Sequence, residues 1–238
     1  MEDITKHTIK IVKSVSNPNT SLKKKIAEVA FEILIITFAV TLAQFLERQR
    51  ENDVKKHEAN EFLAGLRVDL VNDIDQAKRN KIFYTEAKKR YTYLSNLSKS
   101  EKFNADSLDE AVAFISNNTT FRPNTSRFEG FKSAGKLEEI GDKKLLQDIL
   151  TFYEQTTPSL QLSEGGWVNM QRQLNGVLIL SQVSYKSGTN NNYQVMNMPQ
   201  AHNLSVRLVP WAQLYERYDN VVNLGQTIIQ QIDTDIKG

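Results

Sequence analysis

Hydrophobic positions follow two different patterns along this chain. From Ile26 to Leu46 they run almost without a break, IAEVAFEILIITFAVTLAQFL, between the lysines at 23, 24 and 25 and a charged stretch that starts at Glu47. Beyond Glu47 they recur every third or fourth position among Lys, Arg, Asp and Glu. The first pattern predicts a helix that crosses a bilayer, because its twenty-one residues at the helical rise cover about 30 Å, the hydrocarbon thickness. The second predicts amphipathic helices, each with one face to bury.

Two blander readings compete for the apolar segment. Its fully uncharged part is only the fourteen residues Ile33–Leu46, a length that also suits a core helix or a signal-peptide core. Thr41 and Ala43 loosely match a small-x-small cleavage site, but the long polar leader before the segment is not the layout of a cleaved signal. A core helix leaves unexplained the lysine triplet, the sudden change to Glu47, Arg48, Arg50 and Glu51, and the phenylalanines at 31, 38 and 45.

Wrapped at a helical period, the segment has two sides. Phe31, Leu34, Ile35, Phe38, Leu42 and Phe45 make a wide apolar face suited to lipid. Glu28, Glu32, Ala39 and Ala43 make a narrower stripe in which small residues would let another helix approach. Glu32, Ala39 and Ala43 are therefore the candidate helix-pairing face. Glu28, one turn from the lysines, fits an interfacial ion pair, and Glu32 fits either role.

Charge sets the orientation. Lys10, Lys13, Lys23, Lys24 and Lys25 precede the segment and Arg48, Arg50, Lys55 and Lys56 follow it, a five-to-four bias toward a cytoplasmic N-terminus and an exported C-terminal region. That corresponds to a single-pass protein of a bacterial inner membrane with a periplasmic domain. Residues 1–25 form a basic leader in which Ile4, Ile11, Val12 and Val15 oppose Lys6, Lys10 and Lys13, as in a helix lying on an anionic surface. The absence of cysteine is compatible with either compartment, since a domain of this length can bury a core without disulfides. A net charge of +2 with no basic cluster in the folded part argues against nucleic acid as a partner.

Residues 47–238 read as one α-helical extramembrane domain. Between Glu47 and Leu97 there is one glycine, Gly65, and no proline, and Leu63, Leu66, Leu70, Ile74, Ala77, Tyr84, Ala87, Tyr91 and Leu94 keep a helical beat. Nothing between Leu46 and Phe62 signals a stop, so the membrane helix is expected to continue into this one, as a member of a bundle kinked near Asn80. Ser107 to Glu110 predicts a capping box opening a short helix through Ile115, followed by a polar break through Pro123. Gly135 reads as a helix stop and Asp142 as an N-cap, with Leu146, Ile149 and Tyr153 as the next apolar edge. Thr157-Pro158 predicts a new helix, Gly165-Gly166 a kink or late start within it, and Trp167, Met170, Leu174 and Val177 its buried face. Residues 186–200 read as a loop, and Pro210 opens a last helix striped by Leu214, Tyr218, Val221, Ile228 and Ile232. The fold class expected is all-α, with one N-terminal transmembrane helix continuing into a long helix and then a helical bundle.

Three segments together carry a resemblance. Glu32-Ile-Leu-Ile-Ile with the small Ala39 and Ala43, then Glu61-Phe-Leu-Ala-Gly-Leu-Arg-Val-Asp-Leu70, then Phe131-Lys-Ser-Ala-Gly-Lys-Leu137, resemble an uncharacterised family of short single-pass membrane proteins common in Bacteroidota. The resemblance covers residues 26–155 in patches, with Phe31 where that family has glycine and Phe131 where it has leucine. It implies topology and no chemistry.

Catalytic motifs are missing from the sequence. There is no phosphate-binding Gly-Lys-Ser/Thr loop, no His-Glu-x-x-His, no Gly-x-Ser-x-Gly and no dinucleotide fingerprint, and His7, His57 and His202 lie far apart. No catalytic, cofactor-binding or metal-ligating residue is therefore expected, and Glu138, Glu139, Asp233 and Asp235 read as solvated faces. The reading that remains is a membrane-anchored interaction or scaffold protein, a non-enzymatic accessory subunit whose partner is another membrane protein or a second copy of itself. Trp167, Trp211, Tyr215 and Tyr218 are its candidate partner-binding aromatics, each with the alternative of an ordinary core residue. An ion-coupled stator-like subunit using Glu32, and a ligand-sensing helical domain, are the competing readings.

Overall fold

The computed structural model describes residues 22–97, 103–184 and 189–235, with side chains described from Ile26 onward. The leader, apart from the helical backbone that starts at Leu22, lies outside the described residues, and so does His7. The described residues contain helices and no strand beyond one isolated antiparallel bridge, Ser184 to Asn190. The chain falls into two units, Met1–His57 and Glu58–Gly238.

Helix α1, Leu22–Asn96, is one helix that contains both the apolar segment and Asn80. In the first unit its side chains from Phe31 to His57 are exposed with the exception of the half-buried Glu32. In the second unit the helical beat is obeyed position by position: Leu63, Leu66, Leu70, Ile74, Ala77, Tyr84, Ala87, Tyr91 and Leu94 are all buried. The absence of helix breakers lets α1 extend; this stripe ties its C-terminal part to the bundle.

Around that stripe pack α2 (Ala105–Phe114), α3 (Ser126–Ser133), α4 (Lys143–Thr151), α5 (Thr157–Ser181), the short α6 (Asn192–Met196), α7 (Pro199–Leu208) and α8 (Ala212–Asp235). Helix α8 lies antiparallel along α1. Arg67 pairs with Asp233, Gly225 sits against Ile74, Lys81 pairs with Asp219, and Tyr215 reaches Tyr84, so α8 numbers fall as α1 numbers rise. Gly225 belongs to this contact, because a Cβ there would stand 3.0 Å from Ile74 Cγ1. Helix α5 packs against both α7 and α8.

Helix ends differ from the sequence expectation where side chains offered two options. Asn104, not Ser107, caps α2, accepting the Ser107 N–H at 2.9 Å, while Glu110 of the expected capping box pairs with Arg90. Gly135 does end its helix: at φ +71 it closes a Schellman turn through Gly135 N–H to Lys132 O and Lys136 N–H to Phe131 O. Asp142 caps α4, accepting from the Lys144 and Leu145 N–H groups, and this helix buries Leu145 and Ile149 and leaves Leu146 half-buried.

A helix does start at Thr157, with Pro158 in its first turn as expected. Helices α4 and α5 are joined by a π-helical turn, Phe152–Thr156, whose wider register accommodates a proline that has no N–H to give to an α-helical ladder. Gly165-Gly166 is not a helix start: both lie inside α5 on its exposed face without positive φ, and a Cβ at either position would meet nothing within 4 Å. Gly165→Ala and Gly166→Ala are expected to raise stability by about 0.5–1 kcal/mol each, read as a higher urea midpoint. The loop expected over 186–200 contains α6, and α7 follows it directly. Helix α7 buries only Ala201, Ser205 and Leu208, a stripe too small and too polar to register as hydrophobic periodicity.

Candidate functional site

The apolar segment presents eleven large hydrophobic side chains in exposed positions: Ile26, Phe31, Ile33, Leu34, Ile35, Ile36, Phe38, Val40, Leu42, Phe45 and Leu46. A water-soluble surface scatters such residues singly; it does not gather them on every side of one helix. The best eighteen-residue window here has mean hydropathy 2.2 and no buried share, so the segment is long and apolar enough to cross a membrane. Its hydroxyls are also satisfied internally. Thr37 Oγ1 donates to Ile33 O at 2.8 Å and Thr41 Oγ1 to Thr37 O at 2.7 Å, which removes the cost of bringing them into hydrocarbon. Of the proposed pairing face, Ala39 and Ala43 are exposed and Glu32 is half-buried; neither Glu28 nor Glu32 is without a partner.

The four candidate aromatics have different fates. Trp167 and Tyr218 are completely buried and are core residues, not surface for a partner. Trp167 packs edge-on against Tyr84, Tyr91 and Phe83 at 5.1, 5.6 and 6.4 Å, and its indole N–H donates to Leu208 O at 2.9 Å. Its size and its single donor are both used inside the fold. Trp211 and Tyr215 are half-buried against the same core, Tyr215 donating its hydroxyl to Tyr84 O at 2.8 Å. Asp233 is not simply solvated, since it accepts two hydrogen bonds from Arg67, and Glu139 is half-buried.

A buried polar cluster surrounds the non-helical strap of residues 116–125 that links α2 to α3. Helices α1 and α5 supply the partners that the strap's backbone lacks. Phe121 N–H donates to Glu164 at 2.7 Å, Arg122 N–H to Gln76 at 2.8 Å, and Asn124 N–H to Asp73 at 3.0 Å. Gln171 donates to Asn117 O, Tyr84 to Thr119 O, Gln161 to Phe121 O, and the Thr119 hydroxyl to Asn80. The Tyr218 hydroxyl donates to the other oxygen of Glu164. Burial pushes the Glu164 carboxyl above the usual carboxylate range, while Tyr218, the Phe121 N–H and Asn80 pull it back. Burial likewise pushes Asp73 up to about 6 against the Asn124 donors, with the Asp69 charge adding to the rise.

Raised carboxyl values have a definite sign in stability. The folded state binds these protons more tightly than the unfolded chain, so their stabilisation is present in acid and is lost as pH rises through the folded value. Wild type is therefore expected to gain about 1.4 kcal/mol of stability relative to Asp73→Asn as pH falls from about 7.5 to about 5, measured as the difference in urea unfolding.

Among the described residues no group of three or more His, Asp or Glu side chains is placed to hold a metal ion. The polar groove beside the π-helical turn, lined by Gln155, Ser159, Gln213, Glu216 and Arg217, is open to solvent, and Arg217 is held there by Ser159 O and the Ser163 hydroxyl. No family model, curated protein or solved structure matches the chain.

Sequence reasoning did not single out Asp73, Asn80, Glu164 or Gln171. Their positions carried the signal. Asp73 and Asn80 fall at the three- and four-residue intervals of the α1 stripe, and Glu164 and Gln171 share a stripe with Leu160, Trp167, Leu174 and Leu178. A polar residue occurring in a core register is the mark of a buried hydrogen-bonding role.

Proposed function

We propose that this chain is a single-pass membrane-anchored scaffold, an accessory subunit that holds a helical domain at a bacterial inner membrane. The observation that carries the reading is the helix of eleven exposed large hydrophobic side chains between Ile26 and Leu46. A helix of this kind has no stable place in water, and lipid is the solvent that suits it. The basic residues before it favour a cytoplasmic N-terminus and a periplasmic Glu58–Gly238 unit. The resemblance to single-pass proteins of Bacteroidota supports the same topology. The partner we propose is another membrane protein or a second copy, met along Glu32, Ala39 and Ala43.

Two experiments test this. The absence of cysteine makes single-cysteine variants unambiguous reporters. In cells with a permeabilised outer membrane, an impermeant maleimide should label Leu180→Cys, which is 88% exposed, and leave Ser14→Cys unlabelled until the inner membrane is broken. The reverse pattern overturns the orientation. Ile36→Arg places a charge at the centre of the Ile26–Leu46 segment, where it costs about 2.5–3.5 kcal/mol of insertion. The variant should shift from the membrane to the soluble or degraded fraction; undiminished membrane insertion would count against the span.

A further inference from the structure

Helix α5 buries one side and leaves the other bare. Leu160, Glu164, Trp167, Gln171, Leu174 and Leu178 are buried on its inner side. On the outer side Leu162, Ile179 and Leu180 are 76%, 73% and 88% exposed, and Gly165, Gly166 and Gly176 are positions where a Cβ would meet nothing within 4 Å. Glycine inside a helix costs stability, and no contact within the chain calls for these three. Neither the large apolar side chains nor the glycines suit a face meant only for water.

The outer residues keep a heptad. Leu162, Gly166, Asn169, Gln173, Gly176 and Leu180 follow one another at alternating steps of four and three, the a and d spacing of a coiled-coil seam. Arg172 and Ile179 flank this line, and the buried Leu160, Trp167 and Leu174 lie on the opposite side of the helix. No position on the line carries a charge.

We propose that the outer face of α5 is a homodimer seam on which two copies of the chain, held in one membrane as proposed above, pair in parallel and in register. A second copy is the partner this face fits. In register Leu162 and Leu180 meet their counterparts and Gly166 and Gly176 let the two backbones approach. Asn169 and Gln173, both exposed, each offer a donor and an acceptor to an identical amide, and polar residues at such positions fix register. With no charge on the line identical copies do not repel, and the Arg172 side chains fall on opposite flanks of a parallel pair. From Leu162 to Leu180 the seam is about 27 Å long, short for the roughly 1,200–2,000 Å² of a stable free dimer. Two chains confined to one bilayer meet at a raised effective concentration, where a short seam suffices. Leu180 closes the seam one residue before α5 ends and keeps one side open to solvent.

The anchor sets the direction. Within the Glu58–Gly238 unit α5 runs the same way as α1, since Asn80 meets Glu164, Tyr84 meets Trp167 and Tyr91 meets Gln171. Parallel pairing therefore brings both Glu58 ends, where the chain arrives from its apolar segment, to the same end of the dimer. An antiparallel pair would set them at opposite ends, so the parallel sense rests on the single-pass reading.

The test uses the full chain in the inner membranes of expressing cells, and the absence of cysteine keeps it clean. Under copper phenanthroline, Leu162→Cys and Asn169→Cys should each form a disulfide-linked dimer alone, because in parallel register a seam position lies opposite itself. Lys78→Cys, on the exposed side of α1, should stay monomeric. Gly166→Arg should lower the cross-link at 162 by at least about tenfold while the urea midpoint does not fall, since the new side chain meets nothing in its own chain. No link at 162 or 169 above the Lys78→Cys level, a link that forms only when Leu162→Cys is mixed with Leu180→Cys, or a link indifferent to Gly166→Arg overturns the proposal. Carbonate resistance of the same membranes reads the anchoring separately, so resistant chains that do not cross-link overturn the seam alone.

Discussion

Trp167→Ala lowers the unfolding free energy of the Glu58–Gly238 unit by about 4 kcal/mol, toward the upper end of the range for deleting a large buried aromatic. The ring is fully buried where α1, α5 and α7 converge, touching Tyr84, Tyr91 and Phe83 edge-on, and its N–H is the partner shown for Leu208 O. Truncation therefore leaves a cavity, removes three aromatic contacts and strands a carbonyl at the end of α7. Urea unfolding followed by far-ultraviolet circular dichroism reads the change directly. Trp167→Phe, which keeps much of the volume and loses the donor, should lie between the two. A loss below about 1 kcal/mol for the alanine variant would mean that the aromatic centre is not the core of the bundle.

Glu164→Leu produces a loss of similar size, about 3–5 kcal/mol, for the opposite reason. Leucine fills the space but leaves the Phe121 N–H and the Tyr218 hydroxyl buried with no acceptor. Glu164→Gln keeps an oxygen for Phe121, and the Tyr218 hydroxyl can rotate to accept from the new amide, so its cost should stay within about 1 kcal/mol at neutral pH. The contrast is informative because burial raises the Glu164 carboxyl above its ordinary range. The charge costs stability at neutral pH, and its hydrogen bonds contribute stability. Equal losses for leucine and glutamine would show that charge, and not acceptance of two hydrogen bonds, holds the strap.

Periodicity made the scaffold legible in the sequence. Along α1 the burial of Leu63 through Leu94 follows the three-and-four spacing of apolar residues, and the last helix shows the same agreement at Leu214, Tyr218, Val221, Ile228 and Ile232. These stripes are long enough for hydrophobic burial to dominate local preference. Where the driving force was weaker the sequence was ambiguous. Asn104 and Ser107 could each cap α2, and tertiary pairing of Glu110 with Arg90 favoured the first. Pro158 marks a helix start that the structure keeps, but it does not signal that a π-helical turn, Phe152–Thr156, joins this helix to the one before it. Helix α7 was hidden because its buried face is Ala201, Ser205 and Leu208.

The candidate sites divide along the same line. Exposure of the Ile26–Leu46 side chains follows directly from composition, whereas composition cannot tell a core tryptophan from an interface one. Trp167 and Tyr218 were consumed by the core because α1 supplies Tyr84 and Tyr91 as partners from far away in sequence. The polar cluster was harder to read, because Asp73 and Glu164 gain meaning only once the strap folds back over α1 and α5.

The most direct test of membrane anchoring is the response of the intact chain to alkaline carbonate after expression in a bacterial host. A helix that crosses the bilayer resists carbonate and high salt and is released only by detergent, and deleting residues 26–46 should abolish that resistance while the Glu58–Gly238 unit keeps its helical circular dichroism. Release of the full-length chain by carbonate or salt without detergent would contradict the account.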